Sequence, residues 1–300
     1  MKKIAIIFSF ITSILSADTF TLERADGTPM TGYANFPETE SYPIVIAVQN
    51  SLCESILPFL HHFQDFADQM GVALVGIEKQ GVISAEEIDE RAYHQGNYRE
   101  RRILDHLLLV DALRNQIVHA PGWNGRIIFL GGSEGSLVAL QTAPLVPETS
   151  AVMLFSAGGG LDPRQEVTTS IESYFKCKGT PQIAISMMLA SIGLQLDEMI
   201  ANPSTDKFFY DYSYRWWASH LTARPVLDSA LLLDCPILYV HGVEDELIPI
   251  KSADLFVEAF AHAGKTNLTY VRLDGFTHDL FRHDMDAVQD YSARWLQQKL

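Results

Sequence analysis

The sequence predicts an α/β fold with a mostly parallel central sheet, helices on both faces, an N-terminal antiparallel hairpin and a helical insertion. Three observations carry this reading. Short β-branched apolar runs alternate with amphipathic segments from residue 42 to the C-terminus. Two strand-like runs flank Asp26-Gly27 near the start. The alternation breaks once, between about residues 160 and 230, in a mainly helical stretch. Strands alternating with helices imply right-handed crossovers and a parallel sheet buried on both sides.

Taken in order, "TFTLERADGTPMTGYANF" (19–36) reads as two strands joined at Asp26-Gly27, a strong short hairpin signal. "YPIVIAVQ" (42–49) is a strand buried on both faces. "ESILPFLHHFQDFADQM" (54–70) has helical spacing, with Pro58 either in its first turn or kinking it. "VALVGIE" (72–78) is a strand. After a polar loop, "YRERRILDHLLLVDALRNQI" (98–117) is a helix with Ile103, Leu107, Val110 and Leu113 on one stripe. "RIIFLGG" (126–132), "AVMLFSA" (151–157), "CPILYVHG" (235–242) and "LTYVRLDG" (268–275) are strands. "SLVALQTAPL" (136–145), "SADLFVEAFAHAG" (252–264) and "MDAVQDYSARWLQQKL" (285–300) are helices. No internal repeat or linker interrupts them, so residues 18–300 read as one domain carrying the insertion.

Residues 1–17, "MKKIAIIFSFITSILSA", place Lys2 and Lys3 before a short apolar run and a small-residue end, the pattern of a cleavable secretory signal. The alternative is a first core strand. Cleavage after Ala17 leaves 20 Lys and Arg against 37 Asp and Glu, a formal net charge of −17. So acidic a surface repels phosphate backbones, which argues against a nucleic-acid partner and against tight adsorption to anionic lipid. No run reaches the roughly 18 consecutive apolar residues of a spanning helix, so no stable membrane anchor is expected. Cys53, Cys177 and Cys235 form neither a disulfide framework nor a CxxC pattern. They are one bridge plus a free thiol, or three small buried hydrophobes. The oligomeric state stays open.

Chemistry concentrates in "RIIFLGGSEGSLVAL" (126–140), where Gly131-Gly132-Ser133-Glu134-Gly135 matches G-x-S-x-G. With Gly and Ser each near 7% of residues, the pentapeptide arises by accident in about one 300-residue chain in ten. Its position between a buried strand and a helix gives it weight. A serine on so tight a turn needs neighbours without bulk, and the following helix aims its free N–H groups at the hydroxyl. A phosphate-binding glycine loop would instead show G-x-G-x-x-G or a P-loop lysine. A serine hydroxyl needs a base, and the base needs an acid to orient it. Two later strand ends supply these residue types, in "YVHGVEDELIP" (239–249) and "DGFTHDLF" (274–281).

On these motifs the sequence resembles the α/β-hydrolases, similar to their dienelactone-hydrolase and prolyl-oligopeptidase-like branches, over about residues 40 to 300. The family's HGxxDxxxP segment matches His241, Gly242, Asp245 and Pro249, which implies that Asp245 is the acid. Its late glycine-to-histidine turn matches Gly275 and His278, which implies that His278 is the base. Glu244 and Glu246 flank the acid, His283 is the rival base, and His241 reads as a structural loop residue. A metal role for His278, His283 and Asp284 lacks any ligand spacing, and no metal or other cofactor is expected.

The resemblance also implies an oxyanion hole made by the N–H of Glu134 and an N–H from "QNSLCES" (49–55), Ser51 first and Leu52 second. That loop departs from the family, with Gln49-Asn50 in place of His-Gly. The Glu134 carboxylate disfavours anionic substrates if it faces the pocket. "KFFYDYSYRWWASH" (207–220) carries seven aromatics in an insertion where the family places a cap. Trp216, Trp217 and Leu52 are the expected substrate contacts; packing of the cap on the body is the alternative for the tryptophans, which cannot both face inward from one helix. The expected activity is a secreted serine hydrolase of carboxylic esters, acting on a small or short-acyl substrate through an acyl-enzyme. A prolyl-oligopeptidase-like peptidase and a non-catalytic binder on the same fold are the alternatives.

Overall fold

The computed structural model describes residues 17–300. Residues 1–16, nearly all of the expected signal segment, lie outside the described residues. The chain begins with strands β1 (Asp18–Glu23) and β2 (Pro29–Asn35), an antiparallel pair closing over Gly27 at φ +80°. Strands β3 (Tyr42–Val48), β4 (Ala73–Ile77), β5 (Trp123–Gly132), β6 (Thr149–Phe155), β9 (Ile237–Gly242) and β10 (Leu268–Leu273) run parallel. The sheet order is β1-β2-β4-β3-β5-β6-β9-β10, with the hairpin joined antiparallel to β4. The expected sheet is therefore observed, hairpin edge included.

Residues 44–48 of β3 are fully buried, and their alternation shows why the run lacks polar positions. Ile44, Ile46 and Val48 enter one core layer, under α4 (Arg99–Arg114), α5 (Glu134–Thr142), α9 (Val226–Ala230) and α10 (Ile250–His262). Val45 and Ala47 enter the other, under α1 (Leu57–His62), α2 (Gln64–Met70) and α11 (Leu280–Gln297).

The expected single helix over 54–70 is two helices. Pro58 sits in the first turn of α1, and the break falls at Phe63, whose buried ring packs on Phe155 and Phe281. The loop after β4 contains α3 (Glu90–Gly96), capped by the Asp89 carboxylate accepting from Ala92 N–H at 3.0 Å. The insertion holds α6 (Pro163–Cys177), α7 (Gln182–Ala201), a two-residue ladder of β7 (Phe208–Phe209) and β8 (Tyr212–Ser213), and α8 (Tyr214–Thr222). By length and composition alone α7 is apolar enough to cross a membrane. It buries Ile185, Ile192, Leu196 and Met199 and exposes Ile183, Met187 and Leu194.

Helix α4 departs most from expectation. Val110 and Leu113 are buried as the stripe requires, but Ile103 and Leu107 are only half-buried, while Arg99, Arg102, Asp105 and His106 are inside. Charges enter because partners wait for them. Arg24, beside the hairpin turn, donates from Nε to both Asp105 carboxylate oxygens at 2.9 Å and from Nη2 to the Glu78 carbonyl at 3.1 Å. The pair ties the antiparallel edge to the helix that flanks the sheet. Removing one member of such a pair strands the other in low dielectric, so Asp105→Ala is expected to lower stability by about 3–5 kcal/mol. Urea unfolding measures it; a change below 1 kcal/mol would mean that water reaches the pair.

Candidate active site

Ser133 joins β5 to α5 with φ +53° and ψ −125°, a conformation that L-residues avoid and that costs about 1–3 kcal/mol. Two of the three glycines around it are explained by contact. A Cβ on Gly131 would stand 2.6 Å from the Gly135 backbone, and one on Gly135 would stand 2.1 Å from the Val48 carbonyl oxygen. Gly132 meets nothing within 4 Å, so its place in the motif is not steric. The Ser133 N–H donates to the Phe155 carbonyl at 2.8 Å, and the Ser136 hydroxyl donates to the Gly131 carbonyl at 2.7 Å, pinning the bend.

The structure brings the three expected side chains together. His278 Nε2 lies 3.0 Å from Ser133 Oγ, while Nδ1 lies 3.0 and 2.9 Å from the two Asp245 oxygens. The buried Asp245 carboxylate also accepts from the N–H groups of Leu247 and Ile248, at 2.9 and 2.8 Å. Ser156, at the end of β6, donates its hydroxyl to the His278 carbonyl at 2.6 Å. Glu244 accepts from Gly275 N–H at 2.7 Å and Glu246 from His278 N–H at 3.2 Å, so the flanking acids brace the histidine turn and do not compete for the ring. His283 accepts from the N–H and hydroxyl of Thr277 at 3.1 and 2.8 Å, turned away from the serine. His241 is buried against the Ile248 carbonyl at 3.1 Å, and burial lowers its pKa.

Glu134 points away from the substrate side. Its buried carboxylate pairs with Arg102 at 2.8 Å and with Arg99 at 3.9 Å. Burial alone would raise its pKa; the two guanidinium groups overcome that and hold it below the usual carboxylate value. Arg99 in turn donates to His220 Nδ1 at 2.6 Å, and burial with that neighbouring cation pushes His220 down to about 3. Of the two expected loop donors, Leu52 N–H is engaged by the Asn50 side chain at 2.9 Å, whereas Ser51 N–H has no acceptor among the described residues.

A cavity of about 510 Å³ opens at Ser133 and His278. The apolar part of its wall is Leu52, Pro58, Phe59, Phe155, Leu280, Phe281 and Met285, from the loop after β3, α1, the end of β6 and α11; Glu54, His62, Asp279 and Arg282 also border it. Leu52 thus lines it as expected. Trp216 and Trp217 do not. Both are buried inside the cap, where Trp216 stacks on Tyr212 and on His220 and Trp217 donates to the Phe209 carbonyl at 2.9 Å. Both can be buried because α8 is enclosed by α7 and the short ladder on one side and by α4 on the other, where Ser219 accepts from Arg99 N–H and donates to Glu100.

Phe281, three residues beyond His278, and Ser156 were not singled out in the sequence; their only signal is position, just past a motif and at a strand end. Cys53, Cys177 and Cys235 are free thiols; Cys177 is exposed, so three buried hydrophobes is not the pattern either. Among the described residues no cluster of three His, Cys, Asp or Glu could hold a metal ion.

Residues 48–286 match the family model described as serine aminopeptidase, S33. Est1E from Butyrivibrio proteoclasticus, in a form with ferulic acid bound, is 16% identical with a TM-score of 0.66, over 92% of this chain and 97% of that one. A carboxyl esterase from Bacillus coagulans is 14% identical with a TM-score of 0.66, over 95% and 99%. The acylaminoacyl peptidase of Pyrococcus horikoshii is 16% identical with a TM-score of 0.63, over 95% of this chain and 41% of that one. At these identities the likeness is one of fold. No curated protein matches the chain.

The glycine contacts separate two substitutions within one motif. Gly135→Ala drives a Cβ into the backbone of β3 and is expected to lower stability by about 3 kcal/mol or more. Gly132→Ala enters open space and is expected to stay within about 1 kcal/mol of wild type. Chemical denaturation of the pair checks this; equal losses would mean that crowding does not shape the bend.

Proposed function

The chain belongs to the serine aminopeptidase, S33 family of α/β-hydrolases, and on that premise we propose that it hydrolyses carboxylic esters with Ser133 as nucleophile, His278 as general base and Asp245 as its orienting acid. The observation that carries the reading is the continuous relay from Asp245 through His278 to Ser133, at 2.9 and 3.0 Å, opening on a largely apolar cavity.

Ser133 Oγ attacks the ester carbonyl carbon as its proton passes to His278 Nε2. The carbonyl oxygen becomes an oxyanion, met by the N–H groups of Glu134 and Ser51. The intermediate collapses, the C–O bond to the alcohol breaks, and His278 returns its proton to the leaving oxygen. Water then attacks the acyl-serine with His278 again as base, releasing the carboxylic acid. Asp245 holds Nδ1–H inward and stabilises the imidazolium, without itself taking the proton.

The wall of the cavity favours an apolar acyl group. Phe281 makes edge-on contacts with Phe63 and Phe155, centroids 5.2 and 5.1 Å apart, and with Phe59 at 6.5 Å. Such a box suits a flat aromatic or short branched acyl chain, and the ferulic acid bound to Est1E is of that class. A second reading, cleavage of aminoacyl amides, draws on the family's description. Under either, the expected N-terminal signal has the enzyme acting after export.

A fluorophosphonate probe is expected to label the wild type and leave Ser133→Ala unlabelled. His278→Ala is expected to lose about 10⁴-fold or more in kcat. Aryl-acid and short-chain 4-nitrophenyl esters should turn over well above aminoacyl anilides; anilide turnover without ester turnover would move the chain to the peptidase reading.

A further inference from the structure

The loop after β3 is gripped through its carbonyl groups. Arg102 donates to the Gln49 carbonyl, the Lys79 ammonium to those of Asn50 at 3.1 Å and Leu52 at 2.5 Å, and the Tyr93 hydroxyl to that of Ser51. Four consecutive carbonyls are thus bound by three side chains of the body. No peptide bond in the described chain is cis, so each N–H points opposite to the carbonyl of its own plane. The Asn50 carbonyl turned to Lys79 therefore turns the Ser51 N–H the other way.

That other way is set by sheet order. Lys79 follows β4 and Ser133 follows β5, and β3 lies between those two strands. The loop leaving β3 has the lysine on one flank and the serine on the other. Asn50 and Leu52 border the cavity on the serine's side. The rival donor, Leu52 N–H, is already taken by the Asn50 side chain.

We propose that Lys79 is a positioning residue for acyl transfer at Ser133: it orients and polarises the Asn50–Ser51 peptide so that the Ser51 N–H meets the oxyanion. This rests on the ester-hydrolase reading of Ser133. An ammonium on the carbonyl draws electron density from the peptide and strengthens its N–H as a donor, as in any chain of hydrogen bonds. Its two bonds also hold the loop backbone in one orientation.

Lys79 is almost wholly buried. It faces Arg102, Asp105 and His106 on α4, Glu134 on α5, Glu54 in the loop, Glu78 beside it, Cys53, and the Tyr93 ring at 5.9 Å. Burial, then the Arg102 charge, lowers its pKa from 10.5 to about 7. The ammonium is present below that value and lost above it. The unfolded chain keeps its proton up to the higher value, so between about pH 7 and 10.5 this group's contribution to stability rises with pH.

Lys79→Met keeps the side-chain length and removes both donated bonds; Lys79→Arg keeps donors and a charge that does not titrate. With rates expressed per fluorophosphonate-titrated site, Lys79→Met is expected to lose about 10- to 100-fold in kcat, less than loss of a whole donor, with KM within about twofold. Affinity for phenylboronic acid, whose tetrahedral adduct uses the same donors, falls in parallel. Lys79→Arg recovers most of the rate. Should Lys79→Met not fold, pH profiles decide: wild-type kcat falls severalfold between about pH 7 and 9 while Tm holds, and the fall is absent in Lys79→Arg. A per-site kcat and boronate affinity within twofold of wild type in Lys79→Met, or the same alkaline fall in Lys79→Arg, overturns the inference alone. A wild type that neither labels nor turns over any ester sinks the underlying reading and this inference with it.

Discussion

The approach of helix α5 to strand β3 is the constraint on which the site depends. Their backbones come so close that only the absent side chain of Gly135 lets them pass, 2.1 Å from where its Cβ would meet the Val48 carbonyl. Three consequences follow from this one contact. Ser133, at the turn that leads into this contact, takes positive φ, with its hydroxyl out of the bend. Glu134 begins the helix with its N–H free and its carboxylate directed inward to Arg102. The loop that continues from Val48 is brought beside the serine. Ser133, the N–H of Glu134 and the loop after β3 thus meet at a single backbone contact, and the strain at Ser133 is offset by the hydrogen bonds of Ser133 and Ser136 to the strand ends.

The acid and base come from further away, and the sheet sets how far. Strand β9, whose following loop carries Asp245, is two positions from β5, with β6 between. At about 4.8 Å per strand the nucleophile and acid strands stand roughly 10 Å apart, too far for direct contact and suited to an imidazole in between. The turn holding His278 must therefore reach back over β9. Gly242 permits this, since a Cβ there would lie 2.3 Å from the Phe276 carbonyl. Ser156, on the intervening strand, then holds the His278 carbonyl at 2.6 Å. Glu244 and Glu246 complete the support by accepting N–H bonds from the turn. Residues beside a functional motif that look like competitors for its role are here its scaffold.

What could be read from the sequence has a physical boundary. Strand and helix order was legible because two-sided burial leaves continuous apolar runs; Ser133 was legible from its glycine-flanked turn, and Asp245 and His278 through the resemblance of their segments to the family's motifs. The interior of α4 was not. A stripe count treats Arg99, Arg102, Asp105 and His106 as solvated, and the partners that make burial of the charged ones tolerable, Arg24, Glu134 and His220 among them, are distant in sequence. The tryptophans misled for a related reason. Aromatic density announces a packed interior without saying which one, and Trp216 and Trp217 fill the cap's own core. The wall of the cavity comes instead from α1 and the start of α11, whose Phe59 and Phe281 are ordinary core residues in sequence. Gly132 shows the converse: a motif position can be filled by glycine with no crowding to require it.

The buried charges behind the serine call for an account other than stability. Arg24, Lys79, Arg99 and Arg102 are all nearly inaccessible, with Glu78, Asp105 and Glu134 among them. Apolar side chains of equal volume would serve the core as well or better, since desolvating ions roughly cancels their mutual attraction. The chain as a whole carries 37 acidic against 22 basic side chains, so an interior cluster with at least as many cations as anions runs against its own bias. Lys79 and Arg102 grip the loop whose N–H faces Ser133, and Arg102 also grips the carboxylate of the residue whose N–H lies beside it. Lys79 and Arg102 thus hold the backbone on both sides of the serine turn, and that grip, more than the energy of folding, accounts for ions where an apolar core would be expected.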